Sequence, residues 1–320
     1  MRRTQYLSII LFLMILAFGL VFSIIFKTYY WEIIAAIPQE PRRFVKQLIK
    51  LVADVPYAHY HFSFHNLPTY ELKVDSADLA KLTKQLPKNY TDIFDADSMD
   101  YVNAKFIADG KEYAVKIKYR GSTSQHWSYP KKSIRIKFKE PSMFRGMSEI
   151  NLVVPESRGY LMESFNNYRA RKLGLPALKD DFVNLKINWR GYGVYYLIEG
   201  WTKEFLEREN KLTADSNLYG DKTFDSNLYE DIKSWQKYIA NPEENENNFS
   251  DLARLLKVIN EPDDEVFYKT IGTILDMDNF MKWVVHSTLS GSFHQDFKHN
   301  ARIYFDPTIG KFKFIPWQIL

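Results

Sequence analysis

Tyr113-Ala114-Val115-Lys116-Ile117-Lys118-Tyr119-Arg120 and, beyond a short polar loop, Ser133-Ile134-Arg135-Ile136-Lys137-Phe138-Lys139 are the stretches whose reading decides the fold. In both, an apolar residue alternates with a cation, the period of a strand with one face buried. Pairing the two sets cations opposite cations on the outer face, which costs stability unless an anion or an acidic neighbour lies between them. The connection carries Gly121-Ser122-Thr123-Ser124 and then Lys131-Lys132. A glycine permits close backbone approach, and the hydroxyls and free amides of such a turn suit phosphate oxygens. A solvated basic face closed by an ordinary loop accounts for the same residues, and both readings stand.

Downstream, Ser157 starts a helical pattern with Leu161, Met162, Phe165, Tyr168 and Leu173 as its apolar face, stopped by Gly174 and Pro176. A hairpin follows through Val183, Leu185 and Ile187, turning at Asn188-Trp189-Arg190-Gly191 and returning from Val194 to Glu199. Asp-Ser-Asn-Leu-Tyr occurs twice between Asp215 and Glu230, which reads as a loop with a chance echo. Helices are expected after Ser250, after Pro262 and after Asp276, the last with Met277, Phe280, Met281, Val284, Val285 and Leu289 as a core stripe. A final hairpin joins 302–305 to 311–317. Strands early and helices late make an α+β protein in two parts.

Upstream, Tyr6 to Phe26 holds no charge, and about 21 residues at a helical rise cover the roughly 30 Å core of a bilayer. A signal peptide has a shorter apolar stretch and a small-residue cleavage site, so the expectation is an uncleaved anchor. Arg2 and Arg3 precede the span and Lys27 alone follows closely, which puts the tail in the cytoplasm and the main domain outside, on a single-pass cell-membrane protein. Pro38 and Pro41 mark a connector. His59, His61 and His65 share one strand face, but no nearby carboxylate completes a metal set.

The 320 residues, 46% of them hydrophobic, can bury a substantial core, which excludes general disorder. A net charge of +4 spread along the chain gives no footprint for nucleic acid. With no cysteine there is no disulfide framework, thiolate metal site or cysteine nucleophile.

Two further places carry candidate chemistry. His294-Gln295-Asp296-Phe297-Lys298-His299-Asn300 has the order of a protein-kinase catalytic loop, in which an Asp takes the hydroxyl proton and a downstream Asn helps hold magnesium. Asn300 stands four residues after Asp296 where the kinase pattern has five, and a polar loop between elements explains the stretch more simply. Glu199 ends an apolar strand, where a carboxylate can pair with a phosphate-holding lysine or simply be solvated.

Taken in order, Lys118-Tyr119-Arg120-Gly121-Ser122 with Lys131-Lys132-Ser133, Leu173-Gly174-Leu175-Pro176, Gly193-Val194-Tyr195-Tyr196-Leu197-Ile198-Glu199, Asn217-Leu218-Tyr219-Gly220-Asp221, His299-Asn300 and Phe314-Ile315-Pro316-Trp317 resemble the spore coat protein H (CotH) kinase family through most of residues 70–317. The resemblance implies a divergent protein-kinase-like, two-lobed α+β domain over 69–320, strand-rich first and helical later, lacking the family's C-terminal helices. It follows the anchor of residues 1–28 and a connector of 29–68. The resemblance also implies ATP with Mg2+ or Mn2+, and phosphoryl transfer to Ser or Thr of exported proteins. On this analogy Arg120, Ser122, Lys131 and Lys132 contact phosphates, Glu199 pairs with a lysine, Asp296 is the catalytic carboxylate, and Asn300 and Gln318 lie at the metal. The family's Asp-x-Asp after Pro-Trp is replaced here by Gln318-Ile319-Leu320. A neutral amide is a weak substitute for a charged oxygen. That departure keeps a second expectation open, a catalytically silent scaffold for envelope or spore-coat assembly. A sugar-binding module, drawn from Tyr192, Tyr195 and Tyr196, is a third; strand alternation accounts for those tyrosines. The partners expected are an exported or coat protein and, through the anchor, the lipid bilayer.

Overall fold

The computed structural model describes residues 3–28, 66–87, 92–96, 98–128, 131–209, 216–222, 227–241, 247–292 and 294–318. Residues 29–65 of the connector, with its histidines, and Ile319 and Leu320 lie outside them.

Seven strands close into a barrel in the order β1-β2-β3-β4-β5-β7-β6. They are β1 (Thr69–Val74), β2 (Val102–Ala108), β3 (Lys111–Tyr119), β4 (Ile134–Phe138), β5 (Glu149–Val153), β6 (Asp180–Ile187) and β7 (Arg190–Glu199). Neighbours are antiparallel except at the closure, where β1 runs parallel to β6 with Tyr70 opposite Leu185. The alternating residues of β3 and β4 behave as their pattern demands: Val115, Ile117, Ile134 and Ile136 are buried inside. Tyr70, Phe106, Phe138 and Phe144 interlock there, mostly edge to face, with centroids 5.3–5.9 Å apart.

A second sheet, in the order β11-β10-β8-β9, follows the barrel. It comprises β8 (Leu218–Asp221), β9 (Trp235–Ile239), β10 (Arg302–Asp306) and β11 (Lys311–Phe314). The helices are α1 (Arg3–Thr28), α2 (Ser76–Lys84), α3 (Ser124–Trp127), α4 (Met162–Lys172), α5 (Lys203–Arg208), α6 (Ser250–Ile259), α7 (Asp264–Ile274) and α8 (Met277–Leu289). Asp263 and Asp276 cap α7 and α8 by accepting from backbone N–H groups of their first turns. Leu252, Leu255 and Leu256 of α6 pack with Ile274, Ile303 and Phe312 into the core under this sheet.

Three expectations are corrected. The kinase-like two-lobed fold is absent, because the strand-rich part closes on itself and the later part carries its own sheet. Closure depends on β1 meeting β6, a pairing between distant segments that local alternation cannot show. The transmembrane anchor is also corrected: among the described residues no helix is long and apolar enough to cross a membrane.

The third concerns α4, whose expected apolar face points outward. Leu161, Met162, Phe165 and Tyr168 are exposed, while Glu163, Asn166, Asn167 and Ala170 are buried. The buried polar groups have partners: Ser290 Oγ donates to Asn166 Oδ1 at 3.0 Å, and Asn167 Nδ2 donates to the Tyr196 hydroxyl at 3.0 Å. The stretch read as a chance echo holds β8, which lies between β10 and β9.

Candidate functional site

The β3–β4 register sets Lys118 opposite Arg135 and Lys116 opposite Lys137, cation against cation. Part of the required negative charge comes from the next strand, where Glu149 lies 3.5 Å from Arg135 and 3.7 Å from Lys137. The Tyr101 ring takes Lys118 and Lys137 at 4.8 and 5.2 Å. The barrel therefore neutralises most of this face internally.

Arg120 is treated differently. It ends the β3 run, is 9% exposed, and its Nε and Nη1 have no hydrogen-bond partner among the described residues. Burial, followed by the charges of Arg158 and Arg135, lowers its pKa to about 9. Next to it Gly121 adopts φ +92°, and a Cβ there would stand 2.2 Å from Cγ of His126. The His126 ring is fixed by Nδ1 contacting Ser133 Oγ at 2.9 Å, and that hydroxyl also accepts from the Val154 N–H at 3.1 Å. Burial, then Arg120 and Arg158, pushes His126 down to about 2, so it is a neutral wall. Gly121→Ala should consequently cost about 1–3 kcal/mol of stability, through the left-handed backbone and the displaced ring, as read by urea unfolding.

Arg158 comes from the turn Pro155–Arg158 that follows β5, and it is 1% exposed. Its Nε lies 3.1 Å from Glu163 Oε2, and its guanidinium stacks 5.2 Å over the Trp317 ring. Burial raises the Glu163 pKa, and Arg158 and Arg120 oppose that rise. Oriented to satisfy its neighbours, the Gln318 amide accepts from Arg158 Nη1 and Nη2 at 3.1 and 3.2 Å. It donates to His294 Nε2 at 3.2 Å and to Asn300 Oδ1 at 3.0 Å. Asn300, held at φ +59°, donates in turn to the His294 carbonyl at 3.0 Å.

Asp296 sits in the same loop. Its Oδ1 accepts from the N–H of Lys298 (2.8 Å), the N–H of His299 (2.9 Å) and His299 Nδ1 (2.7 Å). Burial tends to raise its pKa, but the bonds from Lys298 and His299 together bring it below the ordinary value. Nδ1 of His299 is thereby committed to Asp296. Burial, then the charges of His299 and Arg158, lower the pKa of His294.

These pieces meet in a cleft of about 570 Å³ between the barrel and the second sheet. Ser122, Thr123, Ser124, His126 and Arg158 line it together with His294, His299, Asn300 and Gln318. Of the residues expected at the site, Ser122, Asn300 and Gln318 line this cleft. Arg120 lies beside its His126 wall, and Asp296 reaches it through His299.

The other three are placed elsewhere. Lys131 Nζ donates to the Val194 carbonyl and lies 4.8 Å over Tyr195, and Lys132 lies 5.8 Å over Tyr119. Glu199 pairs with Arg208 rather than with a lysine: Arg208 Nη2 is 2.6 Å from its Oε2, and the Lys179 N–H donates to the same oxygen at 3.0 Å. The buried acid close to the guanidinium pair is Glu163. Sequence reasoning missed Arg158, Glu163, His126 and His299. A polar stripe of Glu163, Asn166, Asn167 and Ala170 at helical spacing was the available signal for the first pair.

Known proteins agree with this region. The family model described as "CotH kinase protein" matches residues 117–318, which contain this site apart from Asp92 and Ile93. The chain is also similar to "Inner spore coat protein H" of Bacillus subtilis (strain 168), at 28% identity over 261 residues, 79% of this chain and 68% of that protein. With a family match across more than half its length, the chain belongs to the CotH kinase protein family.

Proposed function

We propose that the cleft binds ATP and transfers its terminal phosphoryl group to a serine or threonine hydroxyl of a spore-coat or other exported protein. One observation carries this reading: one cleft gathers the hydroxyls of Ser122–Ser124 and His299, whose Nδ1 contacts Asp296, and the buried, partner-deficient guanidinium of Arg120 lies beside its His126 wall. Phosphates want fixed donors, and the acceptor hydroxyl wants a base.

The transfer balances as follows. The acceptor oxygen bonds to the γ-phosphorus while the bond to the β,γ-bridging oxygen breaks, and ADP departs with that electron pair. The hydroxyl proton passes to His299 Nε2, and the Asp296 carboxylate holds the ring in the tautomer that accepts it. Asp296, with Oδ1 fully engaged by its own loop, is thus a positioning residue.

The family name implies a divalent metal alongside the nucleotide. The residues present do not fit one, because the oxygens of both expected ligands already accept N–H groups: Asn300 Oδ1 from Gln318, and Gln318 Oε1 from Arg158. Hard divalent cations require free, preferably charged oxygens.

The location carried over from the relative's name is the spore coat. To test the function, the full chain is incubated with γ-labelled ATP and extracted coat proteins. Label on serine or threonine, together with a rise in melting temperature on adding ATP, is the expected result; neither label nor thermal shift would remove the proposal.

A second reading, a silent assembly scaffold, is favoured specifically by the Gln318 amide standing where the family resemblance places an acid. Labelling gained only by the Gln318→Asp/Leu320→Asp double variant would establish it instead.

A further inference from the structure

We infer that the apolar cavity formed by α6, α7, α8 and residues 295–297 is a second ligand site, and that it takes an amphiphilic amine whose ammonium group pairs with Asp296 while its aromatic or alkyl body packs among the surrounding rings. This cavity shares no lining residue with the cleft described above, and the inference does not depend on the nucleotide reading.

The cavity measures about 550 Å³, within the range of small-molecule sites. Its most deeply buried lining residues are Leu255 of α6, Leu275, Ala301 and Phe314, whereas Tyr268 of α7, Met277 of α8 and Phe297 are exposed and mark its mouth. Phe280 and Trp283 of α8 also line it, and with Phe314 they pack on one another at centroid distances of 4.8–5.9 Å. Such a set of rings receives an apolar body and, through the ring quadrupoles, attracts a cation.

The polar groups select the sign of the ligand's charge. Asp296 is the one charged side chain among the lining residues. Gln295, which also lines the cavity, is engaged at both ends of its amide: Oε1 accepts from Trp283 Nε1 at 3.2 Å, and Nε2 donates to the carbonyls of Asn300 and Ile315 at 3.2 and 3.3 Å. The three N–H groups that reach Asp296 all go to Oδ1, so among the described residues Oδ2 accepts no hydrogen bond. Lys298, next but one in sequence, is exposed 5.7 Å over the Phe297 ring and does not line the cavity. Burial works against the Asp296 charge, but the bonds from Lys298 and His299 hold its pKa below the ordinary value, so it is an anion at neutral pH. A carboxylate oxygen facing apolar surroundings without a partner is costly, and an ammonium supplies both the counter-charge and the missing donor. A neutral apolar ligand would cover that oxygen without replacing its water, and an anionic one would meet like charge.

The full chain, without nucleotide, is titrated with 4-phenylbutylamine, with 4-phenylbutan-1-ol as its neutral counterpart of nearly equal size, and with 5-phenylpentanoate, binding being followed by ligand-observed NMR. The amine should bind at least about tenfold more tightly than the alcohol, and the carboxylate most weakly. In Asp296→Asn the amine should fall to the affinity of the alcohol, while the alcohol changes by less than about threefold. The order of the three ligands on the wild-type chain tests the inference even if that variant does not fold. An alcohol that binds as tightly as the amine would overturn the choice of a cation, and a preference for the amine that survives in folded Asp296→Asn would overturn the role of that carboxylate. No binding of any of the three would overturn the site. Self-association of the unliganded chain that is reversed by amine and alcohol alike would give the cavity to a second copy and overturn the inference. Each of these failures leaves the nucleotide reading of the cleft untouched, since no nucleotide is present.

Discussion

Replacing Glu163 with alanine should lower the free energy of unfolding by about 3–5 kcal/mol, the range for breaking a buried ion pair by removing one partner. Arg158 and Glu163 each expose about 2% of their side chains, so neither is rescued by solvent. The loss is aggravated by Arg120, which is also buried and whose pKa is lowered by that burial and then by the neighbouring charge of Arg158. Without Glu163, Arg158 would be left against a neutral amide, Gln318, as its acceptor. A fall in melting temperature on the order of 10 °C follows for a domain of this size, together with a lower urea midpoint at unchanged slope. Arg158→Met/Glu163→Leu should recover most of the loss, because a well-packed apolar pair avoids the desolvation that the ion pair must offset. A single Glu163→Ala variant within about 1 kcal/mol of wild type would show that the pair is hydrated in solution.

His299→Ala should slow phosphoryl transfer by about 10²- to 10⁴-fold while ATP still raises the melting temperature. On the proposed reading the ring is the general base and the triphosphate is held by other groups of the cleft. Asp296→Asn should give a loss of similar size, since an amide beside Nδ1 favours the wrong tautomer, and combining the two changes should add little. Full activity of His299→Ala would return the base role to Asp296 itself.

The legible part of the fold was local. Period-two alternation in 113–120 and 133–139 located β3 and β4, the turn residues located the β6–β7 hairpin, and Asp263 and Asp276 announced helix starts that the structure caps with those carboxylates. The cationic register across β3 and β4 was also legible, with its demand for a negative neighbour. Glu149 as that neighbour was not, because it lies on β5, a strand whose residues Ile150-Asn151-Leu152-Val153 show almost no alternation. Helix α4 misled for a related reason: apolar residues were assigned inward, whereas its interior face is polar, with Asn167 and Asn166 bonded to Tyr196 and Ser290 and Glu163 set against the charge of Arg158.

At the site, the sequence alone determined which chemical groups exist: a glycine turn with hydroxyls after a basic strand, a loop with two histidines, Asp296 and Asn300, and an amide at Gln318. Family membership was legible for the same reason, because short motifs in fixed order survive without any knowledge of their contacts. Only the tertiary structure decided which groups meet. It sent Lys131, Lys132 and Glu199 to tyrosine and arginine partners, turned Asp296 onto His299, and filled the oxygens of Asn300 and Gln318 with N–H donors. The physical reason is that hydrogen bonding and charge neutralisation are settled among side chains brought together by barrel closure and sheet order, over distances in sequence that no local pattern spans.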